Sequence, residues 1–253
     1  MTMSIARICR YPVKGMNAES LDGCELTPGE GVPHDRRFAI AHGGARFPDG
    51  KPAWVPRSNF LNLSRNERLA LLRAEFDADG GMLTIRRDGK QVARGKVTEP
   101  IGRTLIDQFL GAFFNAEARG SPRLVEAPGV MFSDVKDKLV SIINLSSVLD
   151  LADRLVRAPV DPGRFRGNIY VEGAAWSEFD WVGRDIAIGA ARLHVVERIE
   201  RCAATNVDPE TAVRDLNIPL ALKQGYDHVD MGVLARVDVG GAITVGDEIG
   251  PPG

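Results

Sequence analysis

One cysteine of the chain stands in a segment suited to thiolate chemistry. Cys202 follows Arg198 and Arg201 and precedes a Thr-Asn turn and an Asp-Pro pair in ERIERCAATNVDPETAV. Nearby guanidinium groups favour the thiolate, which attacks electrophiles and binds soft metals. A small buried cysteine at the end of a strand would show the same local pattern. The segment alone leaves both interpretations open.

Two segments near the start of the chain place cations beside rigid or apolar backbone. In YPVKG, a proline restricts the backbone before Lys14 and a glycine permits a turn after it, so the ammonium group can project toward a phosphate or carboxylate. Arg36 and Arg37 precede an apolar run, and successive strand residues point to opposite faces. One guanidinium would be solvated, and the other would turn inward toward an anion or toward Asp35.

Further polar groups lie in the second half of the chain. Arg164, Arg166 and Asn168 alternate in GRFRGNIYV and should share one face of a strand. They could line an anion site or form the solvated face of an edge strand. Ser146 and Ser147 stand at the start of a predicted helix, where they could bind an anion together with free N–H groups or simply cap the helix.

The elements that must position these residues in the first half are mainly strands. Alternating or continuous apolar residues predict strands over 4–10 and 38–41. Asp88-Gly89 predicts the turn of a hairpin over 81–97. A helix over 98–114 is predicted by apolar residues at a spacing of four, which would form its buried face: Ile101, Leu105, Phe109 and Phe113.

The second half has the same character. An apolar run over 139–145 precedes a predicted helix over 146–157, for which Ser147 and Asp150 supply a start signal. A short helix over 215–225 would end at Gly225. Further strands are predicted over 168–173, 185–199, 232–239 and 242–249. Because strands and helices do not alternate regularly, the sequence predicts an α+β, mostly β fold that contains a barrel rather than a doubly wound sheet.

Composition excludes several classes of function. The 253 residues carry a formal net charge of −2, which gives no overall field for nucleic acid or an anionic membrane. Three cysteines form no disulfide framework, and the sequence has no CxxC or HExxH zinc pattern. The first residues contain no apolar run fit for a signal peptide or a membrane span, so we expect a cytoplasmic protein without membrane partners.

Motifs at both ends of the chain resemble those of one family. RCxxTxVDPxT around Cys202, with GAITVGDEI later, resembles the MOSC domain family of molybdenum-cofactor sulfurase C-terminal domains and their relatives. RICRYPVKG and DRRFAI resemble the N-terminal barrel found in the branch with the amidoxime-reducing component and its bacterial relatives. The resemblance runs from about Ile5 to Ile249. It implies two β-barrel-like domains with a few short helices: an N-terminal barrel over 1–125 and a MOSC domain over 126–253.

The same resemblance implies a molybdenum cofactor, Mo-molybdopterin, with Cys202 as the protein ligand of the metal. Asp208 would orient the loop or relay a proton. In relatives, a threonine, a serine and a glycine are usual where this chain has Val55, Gly15 and Ala212. The residues implied to bind the cofactor are Lys14, Arg36, Arg37, Arg57, Ser146, Ser147, Arg166, Asn168, Arg201 and Thr205.

By resemblance, the reaction is the two-electron reduction of a small N-hydroxylated compound, with loss of the N–OH oxygen as water. The sequence has no iron–sulfur or dinucleotide motif, so we expect a separate electron donor such as a ferredoxin, a flavodoxin or a reductase-like protein. An alternative is sulfur transfer or cofactor delivery, with Cys202 carrying a persulfide. A third interpretation is an anion-binding module in which Cys202 is structural.

Overall fold

The apolar alternation of the sequence corresponds to strands in the computed structural model, which describes residues 3–250. The prediction of a mostly β, α+β fold is confirmed. The strands are β1 (Met3–Arg10), β2 (Glu19–Leu21), β3 (Gly23–Leu26), β4 (Phe38–Ala41), β5 (Arg73–Asp77), β6 (Met82–Arg87), β7 (Lys90–Lys96), β8 (Arg123–Glu126), β9 (Val140–Asn144), β10 (Ile169–Glu172), β11 (Asp185–Ile188), β12 (Ala191–Glu200), β13 (Asp230–Val239), β14 (Gly241–Thr244) and β15 (Glu248–Gly250). The helices are α1 (Pro100–Phe113), α2 (Leu145–Leu151), which a π-helical turn continues over Ala152–Val156, and α3 (Ile218–Tyr226).

Seven strands form a closed barrel. Their order is β10-β9-β13-β12-β11-β15-β1, and pairing between β1 and β10 closes the ring. β9 and β10 are parallel, and the other neighbours in the ring are antiparallel. Branched apolar side chains such as Ile142, Val195 and Val233 are fully buried in its core. Their shape packs well on the pleated surface of a sheet.

The remaining strands pack with α1 around a second core. β5, β6 and β7 form one antiparallel sheet, and β4 pairs with β8. Phe38, Leu83 and Ile106 are fully buried between these elements. The predicted hairpin is confirmed: Asp88 and Gly89, with φ of 50° and 74°, join β6 to β7, as expected for a two-residue turn that matches the strand twist.

Helix α1 exposes part of the face that periodicity placed inside. Ile101 is 70% exposed and Leu105 is 50% exposed, so their predicted burial is wrong. The buried face instead consists of Gly102, Ile106, Leu110 and Phe113. The reason is a close backbone approach between α1 and β7: a Cβ on Gly102 would overlap the backbone of Lys96. The glycine turns toward the sheet, and the neighbouring large residues turn away from it.

The helix ends differ from the predicted ones, and α3 begins at Ile218 instead of residue 215. α2 begins at Leu145, because the Asn144 side chain accepts a hydrogen bond from the Ser146 N–H at 3.0 Å and caps the helix. α3 ends at Tyr226, with Asp227 in the left-handed conformation at its C-terminus, so Gly225 lies inside the last turn. Two predicted strands are also divided, one into β11 and β12 and the other into β14 and β15.

The segment before β10 is a turn rather than a strand. Pro162–Phe165 forms a 3₁₀ helix, and Arg166 follows with φ of 54° in the left-handed region. The predicted strand alternation of Arg164, Arg166 and Asn168 is therefore wrong, since β10 begins only at Ile169. Asp161 caps the turn by accepting a hydrogen bond from the Gly163 N–H at 2.7 Å.

Strands from the two ends of the chain share sheets. β1 pairs with β10 and β15, and β3 pairs with β14. The division into domains over 1–125 and 126–253 stays a prediction. Among the helices over residues 3–250, none combines the length and the apolar character that crossing a membrane requires.

Candidate functional site

A cleft of about 670 Å³ gathers residues from distant parts of the chain. It lies where the loop before β9, the turn before β10 and the segment after β12 meet. The predicted site residues that line it are Lys14, Arg36, Arg57, Arg166, Asn168, Arg201, Cys202 and Thr205. Four others lie outside this lining: Arg37, Ser146, Ser147 and Asp208.

Cys202 follows β12 in an extended conformation, and its carbonyl begins a tight turn. This carbonyl accepts hydrogen bonds from the Thr205 N–H at 3.0 Å and from the Thr205 hydroxyl at 2.9 Å. Thr205 therefore fixes the backbone around the thiol, as an ST-type local bond does. The cysteine is partly exposed to the cleft.

The guanidinium that contacts the thiol comes from the N-terminal half. Nη1 of Arg57 lies 3.4 Å from Sγ of Cys202. Burial opposes the charge of Arg57, but contact with Cys202 and Asp134 outweighs it and raises the pKa of the guanidinium. Arg198, four residues before the cysteine, instead lies over the Phe179 ring at 4.2 Å.

Lys14 is buried in the cleft and forms an ion pair there. Its Nζ donates to Oδ1 of Asp134 at 2.6 Å and to the Phe132 carbonyl at 2.9 Å. Burial lowers the pKa of Lys14, and Asp134 offsets part of that effect. Burial would raise the pKa of Asp134, but Lys14 and Arg57 lower it below its ordinary value. Asp134, in the polar loop FSDVKDK, is a site residue that sequence reasoning missed.

The guanidinium group of Arg36 contacts the backbone of Arg166 in the cleft. Arg36 pairs with Asp35, and its Nη2 donates to the Arg166 carbonyl at 2.9 Å. Nη1 of Arg166 donates to the Met16 carbonyl at 2.6 Å, whereas Nη2 is buried without a partner. Burial lowers the pKa of Arg166 to about 10. A buried donor of this kind favours an incoming acceptor.

Arg201 has a similar environment. Its Nε donates to the Met231 carbonyl at 2.8 Å, and its Nη1 donates to the Phe165 carbonyl at 3.0 Å. Burial lowers the pKa of Arg201 to about 10. Within residues 3–250, neither Arg201 nor Arg166 has a carboxylate partner. Their hydrogen bonds go to backbone carbonyl groups, which do not neutralise the two positive charges.

Asn168 lines the cleft but uses its side chain within the protein. Its Oδ1 accepts hydrogen bonds from the Ser141 N–H at 3.1 Å and hydroxyl at 2.8 Å. Its Nδ2 donates to the Cys9 carbonyl at 3.2 Å. The side chain thus joins β9, β10 and β1 beneath the cleft, where barrel closure occurs.

Arg37 and the two serines have partners elsewhere. Arg37 donates to Glu126 at 2.7 Å and to His34 Nδ1 at 3.1 Å. The Ser147 hydroxyl donates to the buried carboxylate of Glu178 at 2.9 Å. The Ser146 N–H donates to the Asn144 side chain that caps α2. The structure therefore places none of these residues in the cleft.

Asp208 acts in a turn and an ion pair. Its Oδ1 accepts hydrogen bonds from the N–H groups of Glu210 and Thr211 at 2.9 and 2.8 Å. Its Oδ2 lies 3.0 Å from Nη2 of Arg164, which also contacts Asp215 at 2.8 Å. Arg164 is a buried residue that lines the cleft, and the Asp-Pro-Gly turn signal before it could have identified this loop.

The cleft is basic in a chain that is slightly acidic. Seven basic and four acidic residues line it, whereas the whole chain has a formal net charge of −2. The unpartnered nitrogen of Arg166 adds an unused hydrogen-bond donor. This arrangement can hold an anionic ligand and present a thiol to it. It fits a cofactor that carries a phosphate group and a soft metal.

Models of two domain types match the chain. The MOSC N-terminal beta barrel domain matches residues 2–126, and the MOSC domain matches residues 123–250. The chain is 35% identical to "Mitochondrial amidoxime-reducing component 1" of Mus musculus over 98 residues, which cover 38% of this chain and 27% of that protein. It is 30% identical to "Mitochondrial amidoxime reducing component 2" of Bos taurus over 152 residues, covering 53% and 44%.

A further similarity extends over more of the chain. "Molybdenum cofactor sulfurase" of Caenorhabditis briggsae is 26% identical over 239 residues, which cover 87% of this chain and 31% of that protein. In each of these three cases, the match spans less than half of the relative's own length. The two domain models together match residues 2–250, and the chain therefore belongs to the MOSC family.

Proposed function

We propose that this MOSC protein holds a molybdenum cofactor in the cleft and reduces small N-hydroxylated compounds. The observation that carries the proposal is that one cleft is lined by the Cys202 thiol and by two half-buried arginines, Arg166 and Arg201, which have no carboxylate partner within residues 3–250. Similarity to amidoxime-reducing components supports the reaction class.

The cations of the cleft would hold the anionic part of the cofactor. Arg36, Arg166 and Arg201 offer guanidinium groups, and Lys14 offers an ammonium group that is already directed at a carboxylate. A phosphate carries more charge than a carboxylate and accepts more hydrogen bonds, so it suits such a cluster. The free Nη2 of Arg166 would gain the acceptor that it lacks.

Cys202 would supply a sulfur ligand to the metal, and Arg57 would orient that sulfur. A soft thiolate suits a sulfur-rich centre, and hydrogen bonds to a ligating sulfur tune the properties of the metal. Thr205 holds the Cys202 carbonyl and so fixes the ligand loop. Asp208 acts indirectly, through its contact with Arg164, and is a positioning residue rather than a proton relay.

The proposed reaction consumes two electrons and two protons. The N–O bond breaks, an N–H bond forms, and the oxygen leaves as water. When bound, the cofactor supplies the two-electron redox centre. Lys14 Nζ and Asp134 Oδ1, which lie 2.6 Å apart in the cleft, can hold and move a proton. The electrons would come from a separate donor protein.

The first experiment is elemental analysis of protein made in a host that synthesises molybdenum cofactor. The control variant is Cys24→Ala, which changes another free and partly buried cysteine. Parent protein and this control should each contain about one molybdenum per chain, because both keep the Cys202 ligand. Cys202→Ala should lose most of the metal and the reduction of benzamidoxime. Parent protein without molybdenum from that host would contradict the proposal.

A second candidate is sulfur transfer or cofactor delivery with Cys202 as a persulfide carrier. The match to molybdenum cofactor sulfurase over 87% of this chain favours it, and a hydrogen-bonded thiol at a cleft wall suits persulfide chemistry as well. Mass spectrometry of the intact protein distinguishes the two. A persulfide carrier should gain the mass of one sulfur atom, removable by a reductant and absent from Cys202→Ala, and contain no molybdenum.

A further inference from the structure

The Tyr11 ring contacts the guanidinium groups of two arginines that line the cleft. Cζ of Arg166 is 4.2 Å from the ring centroid, and Cζ of Arg36 is 4.9 Å from it. Both distances are within the range of a cation–π interaction. Tyr11 itself is almost completely buried. One aromatic side chain therefore contacts two of the arginines that line the cleft.

The hydroxyl groups of Tyr11 and Tyr170 are 3.2 Å apart. Cζ of Arg7 lies 4.0 Å from the centroid of the Tyr170 ring. Burial raises the pKa of both phenols, so they remain neutral. No phenolate is present to neutralise Arg166, and the π face of Tyr11 attracts its charge without replacing an anion.

The backbone gives an independent reason to expect a positioned pair. Arg36 and Arg166 have φ of 47° and 54°, and residues other than glycine rarely adopt this left-handed backbone conformation. Such conformations persist when surrounding contacts fix them, and they concentrate at functional sites. Tyr11 supplies one such contact: its carbonyl accepts from the Arg36 N–H at 2.7 Å, and its N–H donates to Asp35 at 2.7 Å.

We infer that Tyr11 is a positioning residue that holds Arg36 and Arg166 as a two-arginine clamp for a phosphate-type anion. The inference rests on the proposed cofactor site, because the anion would be the cofactor's phosphate. Tyr11 sets the separation of the two guanidinium groups and keeps both close to the cleft. Arg36 is paired with Asp35, whereas Arg166 has no carboxylate partner within residues 3–250. It does not touch the anion. Its side chain acts through the two arginines.

The test measures anion affinity and not turnover. Protein is made in a host that cannot synthesise molybdenum cofactor, and inorganic phosphate and pyrophosphate are titrated by calorimetry at two salt concentrations. Tyr11→Phe keeps both π faces and should bind pyrophosphate within about twofold of the parent, whereas Tyr11→Leu should bind about tenfold more weakly. Arg166→Met should bind at least as weakly as Tyr11→Leu.

A core control separates positioning from general loss of stability. Leu222, fully buried in the same apolar cluster as Tyr11, lies on α3. Leu222→Ala should lower the melting temperature and leave the pyrophosphate affinity within about twofold. Equal weakening in Leu222→Ala and Tyr11→Leu would overturn the inference, as would unchanged affinity in Tyr11→Leu.

If Tyr11→Leu does not fold, NMR of the parent and Tyr11→Phe decides the matter. Ring currents should shift the Nε–Hε signals of Arg36 and Arg166 in both proteins, and pyrophosphate should move these signals. Signals without a ring-current shift, or without a response to pyrophosphate, would contradict the inference. Because the titration needs no molybdenum, its failure would leave the molybdenum content and reductase assays of the proposed function untouched.

Discussion

Arg57 and Cys202 are 145 positions apart in sequence, and Nη1 of the arginine lies 3.4 Å from Sγ of the cysteine. Arg57 opens a 3₁₀ turn over Arg57–Asn59, and Nδ2 of Asn62 donates to its carbonyl at 3.3 Å. The same guanidinium lies 3.5 Å from Asp134. A residue of the N-terminal half therefore contacts both the thiol and the acid of the cleft, which makes the site dependent on the packing of both halves.

Replacing Arg57 should change turnover more than metal content. Arg57→Met removes the N–H donor to sulfur, which is worth about 1 kcal/mol, and we expect about a fivefold fall in kcat for benzamidoxime. The molybdenum content should stay near that of the parent. Arg57→Lys keeps a charged donor and should lose less activity. Loss of metal in Arg57→Met would instead assign Arg57 to cofactor binding.

The contact between β7 and α1 allows a matched pair of glycine substitutions. A Cβ on Gly95 would overlap the Gly102 carbonyl, which is a backbone group and cannot move aside without moving α1. Gly95→Ala should therefore lower the free energy of unfolding by about 3 kcal/mol, as other overpacked sites do. Gly111, also in α1, has open space at its Cβ position. Gly111→Ala should raise the free energy of unfolding by about 0.5–1 kcal/mol, because alanine has the higher helix propensity.

Urea unfolding of the two variants and the parent measures both effects. Opposite signs for Gly95→Ala and Gly111→Ala would support a backbone-to-backbone contact between the strand and the helix. A loss of less than 1 kcal/mol in Gly95→Ala would mean that α1 can move away from the sheet. The close approach would then not explain why Ile101 and Leu105 are exposed.

Local signals in the sequence predicted much of the fold. Alternation is a property of neighbouring residues, so it identified β1 and β4, and Asp88-Gly89 identified the turn between β6 and β7. The same signal misled at Arg164, because polar residues alternate by chance in a segment that a proline and a glycine had already made a turn.

The candidate site was only partly predictable for a related reason. Lys14 and Cys202 were selected by residue type and motif, and the structure brings them into one cleft. Their partners could not be predicted from spacing. Asp134 is 120 positions from Lys14, and no periodic pattern connects the two. No sequence signal identifies Tyr11, because its role depends on two arginines that pack on its ring.

Arg164 should be important for stability. Its guanidinium is buried and contacts Asp208 at 3.0 Å, Asp215 at 2.8 Å and the Asn206 carbonyl at 3.2 Å. Arg164→Leu would leave these acceptors without their donor, and we expect a loss of about 3 kcal/mol in the free energy of unfolding. Asp215→Asn removes one half-exposed partner and should cost less than about 1 kcal/mol. Equal losses in both variants would show that the buried arginine is not the centre of the network.

The buried acid Glu178 should make stability depend on pH. Its side chain accepts hydrogen bonds from Asn144 at 2.9 Å and from Ser147 at 2.9 Å, and it is 0% exposed. Burial raises its pKa, and these donors offset only part of that effect. The folded state therefore binds the proton more tightly than the unfolded state, whose glutamate pKa is about 4.3. Stability should fall as the pH rises from this value through the higher pKa of the folded state.

Glu178→Gln removes the ionisation and should remove that pH dependence. At pH 7 we expect the variant to be more stable than the parent, because it avoids burying a charge. Below the unfolded pKa, near pH 4, the two proteins should have nearly equal free energies of unfolding, since Glu178 is then protonated. Glu30→Gln, at an exposed surface pair with Lys138, controls for removal of a carboxylate. The opposite result would be a Glu178→Gln variant that is less stable than the parent at pH 7 but equally stable at pH 4. It would mean that the hydrogen-bond donors favour the carboxylate more strongly than burial opposes it.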